Sequence, residues 1–331
     1  MPLKENSPDP MNDVLTAAGF RAAGAAHRLG VFETLREGPL TVAETAQRLR
    51  SDERGIHLLL DTLEVFGYVT RDDGRYANSQ MSAEWLLPGE SGSFGPAFDF
   101  WSTIVFQLWA DLERSIGEGH PPLDFYQWLE QHPDTRNNFQ TVMRTIARTV
   151  APEVVATVEL TSPAGRLIDI GGSHAEYSLA FCERYPELTA TVFDLAGALQ
   201  TAPGDLPPRI TLQPGNFLTD DLGTGYDTAL LMSVVHGHLP DVNITLLRKV
   251  AAALNPGGQL LILEQLADPA STEAPNAFNR IFSLNLFHLQ GGQTYPYEEI
   301  ARWLTAAGFT NPQRFDLKES PGDSVIVARK G

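Results

Sequence analysis

The chain has 331 residues, 43% of them apolar, and a formal charge of -17. That length and apolar fraction allow one large domain or two ordinary ones with a substantial core. The charge disfavours nucleic acid and anionic lipid, because both associations need Lys and Arg to neutralise phosphates. A lone cysteine, Cys182, excludes an intrachain disulfide framework or a multi-Cys metal cluster. No apolar run reaches membrane-spanning length, and Met1 to Pro10 is polar and Pro-containing rather than a signal peptide, so a cytoplasmic protein without membrane or nucleic-acid partners is expected.

From Val14 to Leu35 small and apolar residues recur at helical spacing, and Thr41-Val42-Ala43-Glu44 is a capping-box signature for a second helix. A third helix begins near Ser51-Asp52-Glu53, carries Ile56, Leu59, Leu60, Leu63 and Val65, and stops at Gly67. The stretch from Tyr68 to Tyr76 reads as a hairpin. Three helices and a hairpin predict a winged helix over residues 1–90. Its third helix bears Asp52, Glu53, Asp61 and Glu64 against Arg54 and His57, which favours dimerisation or packing over entry into a DNA groove. Residues 91–160 are expected to form a helical bridge. The density of Phe94, Phe98, Phe100, Trp101, Phe106, Trp109, Phe125, Tyr126 and Trp128 suits both a buried core and the lining of an acceptor pocket.

After Pro163 short apolar strands alternate with helices, at 166–170, 190–195, 209–213, 227–233 and 259–265. A helix follows from Asn276 to Leu289, another from Tyr297 to Gly308, and a last strand from Ser324 to Arg329. This alternation predicts an α/β, doubly wound Rossmann-like sheet over residues 161–331. Its first strand ends in Asp169-Ile170-Gly171-Gly172, and its second in Phe193-Asp194. Paired glycines admit close backbone approach, and a strand-end Asp can receive ribose hydroxyls. A diphosphate cofactor is disfavoured, because Asp169 precedes the glycines and Glu176 lies in the turn beyond them. Two acids there suit a cationic ligand such as the sulfonium and ammonium of S-adenosylmethionine.

With Gly215-Asn216-Phe217, Val235-His236, Leu254-Asn255-Pro256-Gly257-Gly258 and Leu263-Glu264, these motifs follow an ordered pattern. The chain resembles the dimeric, plant-type O-methyltransferase family over nearly its whole length, with a segment from Leu108 to Ala147 typical of bacterial members. The resemblance implies a homodimer formed through the N-terminal domain and a small-molecule acceptor. It also implies that Asp169, Gly171, Gly172 and the turn after them hold the methionine part of S-adenosylmethionine. Asp194 would bind the ribose, Asn216 and Phe217 would flank the adenine, and Leu195 and Ser233 would complete the cofactor contacts. The sequence departs from the family at Ser173-His174-Ala175, where further glycines are usual, and at Asn216, usually Asp.

By the same resemblance His236 is the general base that deprotonates an acceptor hydroxyl, a task suited to an imidazole, and Glu264 is an acid that orients it. The family's Asp after the His is Gly237 here, and its second acid falls near Thr294, so both carboxylates are missing and the base is expected to be less firmly oriented. Those losses open an alternative in which His236 and His288, with His238 as a further candidate, bind a divalent or ferric metal that assists C-methylation of a small 2-oxo acid. His288 shares its helix with Phe278, Ile281, Phe282 and Leu286, and a core position is the plainer reading. An S-adenosylmethionine-sensing winged-helix regulator, and a non-methylating use of the cofactor, are the remaining readings.

Overall fold

The structure, a computed structural model, describes residues 9–87, 94–267 and 277–331. The chain divides into two compact units, one containing residues up to 110 with 137–142, the other 111–136 with 143–331.

In the first unit, α1 (Pro10–Leu29) is capped by Asp9, and the apolar stretch read as one helix breaks at Gly30 before a short α2 (Val31–Thr34). The expected capping box is present: Thr41 Oγ1 accepts from the Glu44 N–H and Glu44 accepts from the Thr41 N–H at the start of α3 (Val42–Leu49). Helix α4 (Glu53–Val65) starts at Asp52, and β1 (Val69–Asp72) and β2 (Arg75–Asn78) form the expected antiparallel hairpin. Helices α5 (Gln80–Trp85) and α6 (Gly95–Phe106) follow. Ser91, in the aromatic stretch, lies outside the described residues. Asp61 of α4 accepts from the Arg71 guanidinium and the Tyr76 hydroxyl, so this acid ties the helix to the hairpin. Phe98 of α6 is buried against Phe20 of α1 at 4.7 Å between ring centroids, whereas Met11, Val14 and Leu15 of α1 and Val105 and Phe106 of α6 are exposed.

The second unit begins with α7 (Leu112–Glu118) and α8 (Phe125–Gln131), and the long α9 (Pro133–Thr157) has residues 137–142 in the first unit. Then come β3 (Arg166–Ile170), α10 (Glu176–Arg184), β4 (Thr189–Asp194), α11 (Ala196–Leu199), β5 (Ile210–Pro214) and β6 (Tyr226–Met232). The chain closes with α12 (Pro240–Ala253), β7 (Leu254–Gln265), α13 (Ala277–Gln290), α14 (Tyr297–Ala306), β8 (Phe309–Asp316) and β9 (Asp323–Lys330). Asn276, the expected start of α13, lies outside the described residues.

The sheet order is β5-β4-β3-β6-β7-β9-β8, with the first five strands parallel and the last two antiparallel additions. Strand β8 is absent from the sequence reading. Its apolar alternation is broken by Asn311-Pro312, which an edge position tolerates because one side of an edge strand makes no ladder bonds. Continuous apolar runs in β3, β6 and β7 bury both faces, as parallel strands covered by helices require. One face packs Ile168, Ile170, Leu260 and Ile262 against α12 and α14, and the other packs Leu167, Leu230, Leu261, Leu263 and Val325 against α9 and α10.

Candidate active site

All five parallel strands point the same way, so the residues at their carboxyl ends gather on one edge. At β3, Gly171 has φ +75° and its N–H donates to the Phe193 carbonyl at 2.8 Å, joining the turn to β4. Gly172 lies flat against the carboxyl of Asp169, where a Cβ would stand 2.5 Å from Cγ, so no larger residue fits. Asp169 is fully buried. Its Oδ2 accepts from Ser178 Oγ at 2.8 Å, and its Oδ1 has no partner among the described residues.

Asp194 is fixed by two backbone donors, Leu195 N–H to Oδ1 at 2.7 Å and Ser173 N–H to Oδ2 at 3.0 Å. The Gly171–Ser173 turn and the strand-end carboxylate are therefore one assembly. Ser173 and Ala175 take positive φ where the family has glycines, at 27° and 64°, so the altered turn keeps the bend at a cost in strain. Asn216 spends Oδ1 on the Leu218 N–H, which leaves its NH2 as the available donor. Phe217 packs edge-on to His238 at 5.8 Å, Leu195 is exposed, and Ser233 has φ 58° and donates its N–H to the Leu263 carbonyl.

One expectation is corrected here. Glu176 does not offer a free charge to a ligand, because its Oε1 accepts from Arg144 at 2.6 Å and Arg148 at 2.9 Å, both on α9. The acids that remain for a cation are Asp169 and Asp194.

Beyond β6 the His236 imidazole Nδ1 lies 2.6 Å from Glu264 Oε2, and the His236 N–H donates to Glu264 Oε1 at 3.2 Å. A carboxylate only accepts, so Nδ1 carries the proton and Nε2 presents a lone pair. The ring stands edge-on to Phe282 at 5.4 Å, and Phe282 stacks on Phe278 at 5.8 Å. The expectation of a loosely held base is also corrected, since Glu264 grips both the ring and the backbone of His236.

Other contacts on this turn were not legible in the sequence. Buried Asn243 donates to the carbonyls of Val235 and His238, and the Tyr295 hydroxyl donates to His238 as well. Gln290 Oε1 would stand 2.5 Å from a Cβ on Gly237, so the carboxamide occupies space that an Asp there would need. Gly292 brings backbone against backbone, and a Cβ on it would overlap the His236 carbonyl oxygen. Thr294 is buried, with its hydroxyl donating to Asn279 Oδ1 at 3.3 Å.

His288 is buried between α13 and α7, with Nδ1 2.7 Å from Ser115 Oγ. Burial holds the His238 ring neutral by lowering its pKa, and the adjacent His236 adds to this. Among the described residues no three His, Cys, Asp or Glu side chains gather as a metal-ligand set.

Comparison with known proteins identifies the family of the chain. The O-methyltransferase domain pattern matches residues 110–310 and the O-methyltransferase dimerisation domain matches residues 19–88. A 3-hydroxy-5-methyl-1-naphthoate 3-O-methyltransferase of Streptomyces sahachiroi is 29% identical, over 92% of this chain and 89% of its own length. The mitomycin biosynthesis 6-O-methyltransferase of Streptomyces lavendulae is 30% identical, over 97% and 94%. The crystal structure of human N-acetylserotonin methyltransferase in complex with S-adenosylmethionine superposes with a TM-score of 0.82 at 25% identity, covering 98% of this chain and 99% of that one.

Burial pushes Asp169 up to about 7, with Asp194 adding to the rise and the Ser178 hydroxyl opposing it. Burial likewise pushes Asp194 up to about 6 against its two backbone donors. Both values exceed the ordinary carboxylate range of about 4, so the folded chain keeps protons that the unfolded chain has released. Stability should fall as pH rises from about 4 toward 7. In Asp169→Asn the larger part of this dependence is removed, so thermal unfolding should show the variant's Tm rising relative to wild type between pH 5 and pH 8. A pH-independent Tm difference would contradict the ionisation ascribed to Asp169.

Proposed function

The chain belongs to the O-methyltransferase family, and from that premise we propose that it methylates a hydroxyl of a small secondary-metabolite acceptor with His236 as the general base. The observation that carries this reading is the 2.6 Å contact of His236 with Glu264 beyond β6, on the same sheet edge as the Gly171–Asp194 corner. The enzyme is S-adenosylmethionine-dependent. The residues fit that cofactor: Asp169 and Asp194 are buried acids without a side-chain cation, and Asp194 keeps a lone pair on each oxygen for ribose hydroxyls. Gly171, Gly172 and the turn after them hold the methionine part. Leu195, Asn216 and Phe217 flank the adenine, and Ser233 borders the site.

When bound, the cofactor supplies a methyl carbon on a positively charged sulfur. His236 Nε2 would take the hydroxyl proton of the acceptor, which leaves that oxygen as the nucleophile for methyl transfer. Glu264 sets the tautomer and steadies the imidazolium that results, the part a carboxylate plays behind a histidine base. Asn243 and Tyr295 position the turn through its carbonyls. Phe278 and Phe282 offer aromatic faces beside the base, a surface suited to a flat acceptor.

The first unit pairs two copies of the chain. Its exposed apolar residues on α1 and α6 are the surface for this, whereas Asp61 and Glu64, both bound to Arg71, give α4 no basic face for nucleic acid.

Replacing His236→Asn should lower kcat by about 10²–10⁴-fold while the Kd for S-adenosylmethionine, measured by calorimetry, stays within error of wild type. An unchanged kcat would remove His236 from the reaction. Activity should also survive exhaustive chelation, and loss restored by a divalent or ferric ion would favour the metal route. Light scattering should give twice the chain mass of 36.2 kDa, and a monomer would rule out the pairing.

A further inference from the structure

We propose that Asp323, with the Gln265 amide oxygen and the Tyr177 hydroxyl, forms a subsite for a primary ammonium group on the acceptor, so that the molecule methylated here carries an amine. This rests on the reading in which His236 activates that acceptor.

Strand register places the group. Leu263 pairs with Val325 and Gln265 with Asp323, and residues directly opposite each other share a face. Continuing the register through Leu230 and Leu261 puts Asp169, Gln265 and Asp323 on the face covered by α9 and α10. Because β9 runs antiparallel, its first residue, Asp323, stands on the same edge as the carboxyl end of β7, where Glu264 holds His236. Tyr177 reaches this layer from α10 and Glu153 from α9.

The polar atoms of the group lack donors. Among the described residues Gln265 Oε1 and Glu153 Oε2 are buried without a partner, the second while Oε1 of the same carboxylate accepts from the backbone N–H groups of Lys318 and Glu319. The Asp323 carboxylate makes no hydrogen bond and no ion pair among the described residues. Tyr177 is 6% exposed. Burial, then the charges of Asp323, Asp169 and Glu264, push the Tyr177 pKa up, so the phenol keeps its proton. Burial and Glu264 push Asp323 up to about 6, with His236 pulling it down, which sets Asp323 within electrostatic reach of the base.

Unsatisfied buried acceptors are costly, and a carboxylate, an amide oxygen and a second carboxylate oxygen call for several donors on one positive centre. A primary ammonium brings three N–H donors and a charge. The cofactor's own ammonium belongs to a different strand end. Its methionine part belongs at Gly171 on β3, three strand spacings from β9, or about 14 Å.

The test is calorimetric titration of the protein saturated with S-adenosylhomocysteine, using tyramine and 4-ethylphenol, which differ only by the amine. Tyramine should bind at least about tenfold more tightly, the ratio that roughly 1.4 kcal/mol gives. In Asp323→Asn the two Kd values should draw together, in Asp323→Glu part of the preference should remain, and Tyr177→Phe should weaken it. S-adenosylhomocysteine affinity and Tm, measured alongside, report whether each variant is folded. No binding of tyramine, equal binding of the two phenols, or a full preference in Asp323→Asn would overturn the subsite. Failure of the wild-type chain to bind S-adenosylhomocysteine would remove the methyltransferase reading as well, whereas a missing amine preference removes the subsite alone.

Discussion

Parallel pairing of β3, β4, β6 and β7 is the constraint from which the site follows. Parallel strands end on one edge, and each must turn there into a helix or loop, so whatever residue follows the last ladder bond is delivered to a common line. Asp169 and Gly171 end β3, Asp194 ends β4, His236 follows β6, and Glu264 stands at the end of β7. Strand β9, antiparallel to β7, extends the same logic in reverse, because the residue it places on that edge is its first rather than its last.

What holds the cofactor corner is a conflict resolved by geometry. Burying Asp169 and Asp194 penalises their charge, yet a cationic ligand needs that charge. Two backbone N–H groups offset part of the penalty at Asp194, and one serine hydroxyl does so at Asp169. The remainder stays as a raised pKa, and a bound sulfonium or ammonium would relieve it. Glu176, by contrast, is satisfied by two arginines and contributes to holding α9 against α10. An acid that already has its cations attracts little else.

This contrast marks what was legible in the sequence. Asp169, Asp194, His236 and Glu264 could be read because each is tied to a strand end, and strand ends follow from local apolar runs and glycines. Arg144 and Arg148 could not be assigned to Glu176, since their approach depends on how α9 packs across the sheet. Asn243, Gln290 and Asp323 likewise come from elements whose position relative to His236 is set by tertiary packing. The grip of Glu264 on its histidine was underestimated for a related reason: counting the acids missing at Gly237 and Thr294 says nothing of how well the remaining one is placed. Strand β8 escaped because an edge strand need not alternate cleanly, and Pro312 hides it further.

The Gly237 position shows how the fold fills the space of an absent acid. Gln290 approaches so closely that an Asp side chain at 237 would require it to move, and the two glycines at 237 and 292 let the end of α13 lie directly on the His236 turn. Helix α13 also carries Phe278 and Phe282, the second in edge contact with the imidazole. These aromatics and the His236 turn are therefore coupled mechanically, because the backbone at Gly292 lies directly against the His236 carbonyl. Close packing in place of a second carboxylate trades an electrostatic restraint for a steric one. A steric restraint of this kind does not titrate, and it acts on the turn while Glu264 holds the ring at 2.6 Å.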